Sequence, residues 1–269
     1  MHPILFEIHV PSFMQGILPA VLTIYTYGFF IFLGAIFGFS YMAWQGKKYF
    51  GTSLDVSNSL LLLLLFTGIV GGKILYFFEA PAYFLENPME LFGSRGFVFY
   101  GSLGLSIPAM LWFFRKHKIP TLEMLDIMAI TTGIVHMFGR MGCFMAGCCH
   151  GIPWEGPLAV IFTDPVCLAR PLNVPLHPTQ LYSFSMILLI TSISFLLKQK
   201  KQFHGQVFIS YLILYSIGRA IIEVYRGDEN RGYIIENYVS HSQLFALIFI
   251  LVAGYFYLKL KNKYKHVNN

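Results

Sequence analysis

Charged side chains lie inside, or at the end of, stretches of sequence that are otherwise apolar, and five of them stand out: Lys73, Arg140, Arg219, Glu223 and Arg226. A charge at the depth of a bilayer core costs on the order of 3 kcal/mol on insertion scales, so each one is a candidate for function. Four cations against one carboxylate leave an anion unaccounted for, and a guanidinium forms paired hydrogen bonds to phosphate. The pattern predicts a phosphate-binding site of the kind that would hold a phospholipid headgroup.

Each of these residues also has a structural interpretation when it is taken alone. Arg219 and Glu223 have the spacing of an ordinary ion pair on a helix. Lys73 and Arg226 would also be satisfied by reaching interfacial water. Arg140 resists this interpretation, because the glycines beside it in GRMG allow close backbone approach. The prediction rests on the convergence of the whole set at one depth. Other polar residues predicted at a similar depth are Tyr27, Tyr100 and His177.

A second cluster of reactive side chains contains cysteine. Cys143, Cys148, Cys149 and His150 lie within eight residues, and Cys167 follows in the same segment. Three interpretations are open. The cysteines are small packing residues, or they bind zinc or another soft metal, although the spacing is not that of a standard structural zinc site. Alternatively they carry redox or nucleophilic thiol chemistry, including a disulfide in which Cys143 or Cys167 takes part.

The composition indicates the elements that position these residues. The chain has 269 residues, of which 56% are hydrophobic and 12% charged, with a mean hydropathy of +0.61. Soluble domains carry about 25% charged residues, so the chain is predicted to be a polytopic membrane protein. The apolar runs lack the alternation of barrel strands. We predict an all-α bundle with seven transmembrane helices, at about 18–43, 58–79, 97–115, 122–141, 179–197, 205–225 and 240–258.

The basic residues predict the orientation of this bundle. Twelve of them follow spans 1, 3, 5 and 7 on one side, and four lie on the other. Basic loops remain cytoplasmic, so we expect the N-terminus outside and the C-terminus inside. The segment 142–178 is then an outer-side loop or cap on a single membrane domain, residues 1–269. The basic character follows from this topology and gives no reason to expect a nucleic-acid partner.

Several motifs resemble those of the prolipoprotein diacylglyceryl transferase family. They are YTYGFFIFLG (25–34), GGKILYFF (71–78), GFVFYGSLG (96–104), GRMGCFMAGCCHG (139–151), HPTQLYS (177–183) and GRAIIEVYRGDE (218–229). The resemblance implies a bacterial inner-membrane enzyme with an external N-terminus. Such an enzyme transfers the diacylglyceryl group of phosphatidylglycerol to the lipobox cysteine in the signal peptide of a prolipoprotein.

Individual residues are expected to carry the reaction, with no cofactor and no metal. The expected catalytic residues are Arg140, Arg219, Tyr100, His177 and Cys148. The expected substrate-binding residues are Tyr27, Lys73, Gly101, Gly142, Cys143, Gly151, Glu223 and Arg226.

The chain departs from the family motif at diagnostic positions. Cys143 and Ala146 replace asparagines, Cys148 replaces a glutamate, and Tyr100 replaces a histidine. Tyrosine is a poorer base than histidine at neutral pH, so His136, His150 and His177 are further candidates for the base. Two alternative functions follow: thiol-dependent chemistry on another acceptor in the same phospholipid pocket, or lipid binding without catalysis. Besides phosphatidylglycerol and the prolipoprotein, membrane lipids are the expected partners.

Overall fold

The computed structural model describes residues 1–12, 20–81, 97–227, 233–235 and 239–267. Seven α-helices dominate this part of the chain. They are α1 (Thr26–Phe50), α2 (Leu54–Glu79), α3 (Phe99–Lys116), α4 (Thr121–Ala146), α5 (Thr179–Lys200), α6 (Gln206–Glu223) and α7 (His241–Val267). Six of them are long and apolar enough to cross a membrane. The exception is α3, which has 18 residues and ends with Arg115 and Lys116 in its last turn.

Three short antiparallel strand pairs accompany the helices in the described residues. They are β1 (Ile4–His9) with β2 (Val21–Tyr25), β3 (Val160–Ile161) with β4 (Pro175–Leu176), and β5 (Tyr233–Ile235) with β6 (Val239–Ser240). The predicted first span, 18–43, therefore begins too early. Residues 21–25 hydrogen-bond to β1, and the helix starts only at Thr26. Apolar β-branched residues suit either state, and hydropathy alone does not separate them.

The predicted outer-side segment 142–178 also needs a correction at its start. Helix α4 continues through Gly142 and Cys143 to Ala146, and this stretch, GCFMA, contains no proline to end it earlier. The helix ends where Gly147 adopts a φ of +79°, the left-handed conformation common after a helix C-terminus. Beyond it, β3 and β4 and several turns occupy this segment.

The described chain forms two compact units, residues 1–40 with 126–269, and residues 41–125. In the second unit, α2 and α3 pack closely through small residues. A side chain on Gly71 or Gly101 would collide with the backbone carbonyl of the other glycine. The Ser102 hydroxyl donates to the Gly68 carbonyl at 2.7 Å. Small residues of this kind let membrane helices approach each other closely.

In the first unit, α1 packs on α4 through Gly34 and Gly38, which meet Phe138 and Val135. The start of α4 is fastened to the connection between α5 and α6 by Asp126, a buried carboxylate that the sequence analysis did not single out. This arrangement holds α4, α5 and α6 together, and the arginines of interest lie toward the opposite ends of α4 and α6.

Candidate active site

Arg219 and Glu223 form an ion pair on the last turns of α6. The two residues are one turn apart, and Glu223 is buried with a relative exposure of 4%. A guanidinium held by a carboxylate on one side keeps its remaining donors in a fixed direction. The pair therefore presents an oriented cation at the end of the helix.

Arg140 is oriented by a neighbour one turn earlier on α4. Its Nε donates to Nε2 of His136 at 3.1 Å, so Nε2 is the unprotonated nitrogen of that ring. The His136 ring lies against Tyr215 of α6, with ring centroids 5.5 Å apart, and Tyr215 also hydrogen-bonds Arg140. His136 was a candidate base, but the nitrogen that would accept a proton already accepts the hydrogen bond from Arg140.

The guanidinium groups of Arg140, Arg219 and Arg226 act electrostatically on the same neighbouring residues. The charges of Arg140 and Arg219 both act on His136, and both also act on Arg226. Burial lowers the pKa of Arg226, and the two neighbouring cations lower it further, while Cys149 and Glu223 oppose this change. Like charges in a partly buried site repel each other, and an anion among them relieves that repulsion. The structure thus brings together three of the four predicted cations with Glu223.

The backbone around Gly151 places Arg226 beside the turn that follows α4. Gly151 and Arg226 form an antiparallel bridge, and Gly227 N donates to the His150 carbonyl at 3.1 Å. A side chain on Gly151 would collide with His177 and with the Tyr225 carbonyl. Gly151 was predicted to contact substrate, and in the structure it permits the approach of two backbone segments that positions Arg226.

Three cysteines meet at the same turn. The Sγ atoms of Cys143, Cys148 and Cys149 all lie within 4.8 Å of one another, and the three residues are half-buried. Cys149 has a φ of +60°, a conformation that costs a non-glycine residue about 1–3 kcal/mol unless its surroundings impose it. Helix α5 supplies such surroundings: Thr179 Oγ1 donates to the Cys149 carbonyl at 2.6 Å, and Gln180 Nε2 donates to the Cys148 carbonyl at 2.8 Å.

All four cysteines are free thiols, so none of the disulfides considered above is present. Cys167 lies apart from the cluster, buried among Phe162, Ala169 and Leu176. Hydrogen bonds with the Cys143 and Cys149 thiols raise the pKa of Cys148. Hydrogen bonds from Cys143 and Cys148 lower the pKa of Cys149, and Arg226 and Arg140 lower it further. The positive charges of Arg226 and Arg140 thus favour the thiolate form of Cys149.

His177 lies at the start of α5 in an aromatic enclosure. Its ring stacks on Trp154 with centroids 4.2 Å apart, and Tyr225 contacts it at 5.2 Å. Its Nδ1 lies 3.0 Å from the Tyr182 hydroxyl, and burial lowers the pKa of the imidazole. Burial favours the neutral ring, which is the form that a base requires. The catalytic role of His177 stays a prediction.

His150, the third candidate base, has both ring nitrogens engaged. Nε2 accepts from the Arg170 backbone N–H at 3.3 Å, so Nδ1 carries the proton and donates to the Gly151 carbonyl at 3.0 Å. The ring therefore ties the turn after α4 to the outer segment. This role leaves it unsuited to proton abstraction.

Tyr27 and Gly142 meet where α1 begins and α4 approaches its end. A side chain on Gly142 would lie 3.0 Å from the Tyr27 ring and 3.2 Å from the Tyr27 carbonyl. The Tyr27 hydroxyl lies within the electrostatic reach of Arg140 and Cys143. Gly142 therefore lets the Tyr27 side chain reach the neighbourhood of the arginines and thiols.

The remaining predicted residues, Lys73, Tyr100 and Gly101, belong to the unit formed by residues 41–125. Lys73 is buried in α2, whereas Tyr100 at the start of α3 is 58% exposed. Gly101 packs against Gly71. Their participation in substrate binding or catalysis stays a prediction.

The sequence analysis overlooked the tyrosines that surround these residues. Tyr215 precedes Arg219 by one turn, as Arg219 precedes Glu223, so the three lie on one face of α6. Tyr182 and Tyr225 enclose His177. The spacing of Tyr215 was readable in the sequence, whereas the meeting of Tyr182 with Tyr225 depends on tertiary contacts.

Comparison with known proteins gives a consistent family assignment. Residues 16–259 match the model of the family described as prolipoprotein diacylglyceryl transferase. A phosphatidylglycerol--prolipoprotein diacylglyceryl transferase of Clostridium tetani is 33% identical over 254 residues, covering 94% of this chain and 95% of the relative. A second enzyme of this name from Clostridium perfringens is 34% identical, covering 87% and 89%, and one from Dehalococcoides mccartyi is 27% identical, covering 98% and 99%. The chain therefore belongs to the prolipoprotein diacylglyceryl transferase family.

Proposed function

We propose that the chain transfers the diacylglyceryl group of phosphatidylglycerol to the lipobox cysteine of a prolipoprotein signal peptide. The observation that carries this proposal is the shared neighbourhood of Arg140, Arg219 and Arg226, with one carboxylate, Glu223, paired to Arg219. The excess positive charge suits a phosphodiester, and family membership supplies the reaction. Membrane lipids surround the bundle and deliver the donor, and no nucleic acid takes part.

In this reaction the acceptor thiolate attacks the glyceryl carbon that bears the phosphate ester. The carbon–oxygen bond breaks, a thioether forms, and the electron pair leaves with the glycerol phosphate. Arg140 and Arg219 would stabilise the charge that develops on the departing phosphate. Glu223 would hold Arg219 in position, and Arg226 would bind the headgroup.

The remaining predicted residues would bind substrates or prepare the thiol. Substrate binding is proposed for Tyr27, Gly142, Cys143, Gly151, Lys73 and Gly101. Tyr100, His177 and Cys148 remain the proposed catalytic residues that prepare the acceptor thiol for attack. The Cys149 thiolate, which the charges of Arg226 and Arg140 favour, is a further candidate beside Cys148.

The topology belongs to the same proposal. We propose that α3 also crosses the bilayer, giving seven spans in one bacterial inner-membrane domain, residues 1–269. Arg115 and Lys116 at its end would remain in the cytoplasm. The N-terminus then lies outside and the C-terminus in the cytoplasm. The loop after α4 forms part of an outer cap, where a secreted prolipoprotein meets the outer leaflet.

A reconstituted assay tests the function directly. The purified chain in phosphatidylglycerol liposomes should add a diacylglyceryl group to a lipobox peptide, measured as the corresponding mass increase. A peptide with serine in place of its cysteine and liposomes of phosphatidylcholine serve as controls, and neither should react. Binding of phosphatidylglycerol without any mass increase would refute transfer and favour a lipid-binding protein. Consumption of phosphatidylglycerol with no change in the peptide would favour another acceptor.

A further inference from the structure

The three clustered thiols have the geometry of an incomplete metal site. Adjacent residues in an extended chain point to opposite faces, but the φ of +60° at Cys149 turns its side chain toward that of Cys148. The Cys148 thiol reaches back to the Cys143 carbonyl at 3.8 Å. The hydrogen bonds from Thr179 and Gln180 hold the backbone of both residues in this turn. The convergence is therefore built by the fold.

The distances suit a thiophilic cation. All three Sγ atoms lie within 4.8 Å of one another. Sulfur ligands about 2.3 Å from a tetrahedral zinc lie about 3.8 Å apart, so closure on the ion requires side-chain movements on the order of 1 Å. The neighbouring His150 cannot complete the set, because both of its ring nitrogens are engaged. A site with three sulfur ligands and an open fourth position has the pattern of a catalytic zinc site, since structural zinc sites are closed by four protein ligands.

The surrounding charges favour the anionic complex that would form. Three thiols lose three protons when they bind one divalent cation, which gives the complex one negative charge, and hydroxide or a thiolate at the fourth position adds a second. Arg226 and Arg140 both act electrostatically on Cys149, and their guanidinium groups would offset that charge. The thiols therefore lie where a thiolate complex is stabilised and beside the proposed phosphate site.

We infer that Cys143, Cys148 and Cys149 bind a zinc ion whose fourth position accepts the cysteine of the acceptor peptide. This inference rests on the proposed transferase function. The acceptor thiol gives its proton to a hydroxide ion at the fourth position, which leaves as water, and the sulfur takes its place. That sulfur then forms the bond to the glyceryl carbon as the carbon–oxygen bond breaks, and the thioether, a weak ligand, dissociates. The zinc ion thus activates the acceptor thiol. The ring nitrogens of His136 and His150, which were candidates to accept its proton, already take part in hydrogen bonds.

Cobalt substitution tests the metal site independently of lipidation. The purified chain, in phosphatidylglycerol nanodiscs under reducing conditions, is titrated with Co²⁺, and sulfur-to-cobalt charge-transfer absorption is recorded. One equivalent should bind, and zinc should displace it. Cys143→Ser, Cys148→Ser and Cys149→Ser should each weaken binding at least about 100-fold, since loss of an outer-shell partner alone costs 10–100-fold. Cys167→Ser is the matched control, because Cys167 lies in a separate apolar cluster, and it should bind as the unchanged chain does.

Three results would overturn the site: no thiolate absorption in the unchanged chain, equal loss in Cys167→Ser, or a disulfide formed within the cluster under these conditions.

A lipobox peptide should add a further thiolate band, and a serine peptide should not. Equal spectra with both peptides would overturn the open fourth position. Full lipidation by the metal-free chain or by Cys149→Ser would overturn the inference and leave the transferase intact. Cobalt binding without lipidation by the zinc-loaded chain would instead refute the proposed function.

Discussion

The two ends of α4 use buried polar groups in opposite ways. Near its start, the carboxylate of Asp126 accepts hydrogen bonds from Lys201 Nζ, Gly205 N and Phe208 N, at 2.9, 3.0 and 3.0 Å. Near its other end, Arg140 shares its surroundings with two more cations and three thiols. The first end is closed and neutralised. The second end has an excess of positive charge beside three thiols. Charged and titratable groups clustered in this way are typical of a functional site.

This difference indicates how buried charge serves structure or function. Asp126 is fully buried, and its partners come from the connection between α5 and α6 and from the first turn of α6. A carboxylate that accepts hydrogen bonds and an ion pair in this way holds helices together, and its role is structural. The arginines are held by His136, Tyr215 and Glu223, which orient them without neutralising the whole set. Substitutions at the two ends should therefore separate stability from catalysis.

The largest expected effect is at the arginine end. Arg140→Ala and Arg219→Ala should each lower the rate of peptide lipidation by about 10²–10³-fold, because each removes a preorganised donor to the developing phosphate charge. The thermal midpoint of Arg140→Ala should change little, since no carboxylate is paired to Arg140 in the described residues. The midpoint of Arg219→Ala should fall, because the buried Glu223 loses its ion pair with Arg219. Rates are measured by mass spectrometry, and Arg115→Ala, at the end of α3, serves as a control. Unchanged rates in both variants would remove the arginines from catalysis.

The reverse effect is expected at the start of α4. Asp126→Ala should destabilise the chain by about 3 kcal/mol, because removing one partner of a buried ion pair leaves its donors unsatisfied. The lipidation rate per folded molecule should remain close to that of the unchanged chain. Denaturation in detergent, combined with activity normalised to folded protein, separates the two quantities. A stable but inactive Asp126→Ala would contradict the structural role.

The sequence predicted the apolar helices well, because hydropathy over about 20 residues directly reflects the bilayer. It predicted the convergence of Arg140, Arg219 and Glu223 for the same reason, since charges inside such stretches are few. It misplaced the start of α1, because residues 21–25 pair with β1 and pairing partners are not visible in a local window. It missed Asp126, whose partners lie 75 or more residues away in the chain. Long-range contacts of this kind also determine the environment of His177.

A third prediction concerns the backbone that joins Arg226 to the turn after α4. Gly151→Ala would place a methyl group against His177 and the Tyr225 carbonyl, and overpacking of this kind costs about 1–3 kcal/mol. We expect a lower thermal midpoint and about a tenfold slower lipidation, because Arg226 is displaced together with its bridge partner. Gly254→Ala in α7 is the control, since a side chain there meets open space. Equal behaviour of the two variants would show that Gly151 imposes no such constraint.

The smallest effect is expected from the hydrogen bond that holds the thiol turn. Thr179→Val keeps the shape of the side chain but removes the donor to the Cys149 carbonyl. A single hydrogen bond contributes about 1 kcal/mol, so global stability should fall only slightly. The left-handed conformation of Cys149 should become less populated. The rate at which the Cys149 thiol reacts with a thiol reagent should therefore change more than the rate for Cys167. Ser192→Ala, which removes a hydroxyl bonded within α5 itself, is the control and should leave both reactivities unchanged. If Thr179→Val also leaves Cys149 unchanged, the turn is held by the remaining contacts of the outer segment, and the thiol end of α4 is as rigid as the Asp126 end.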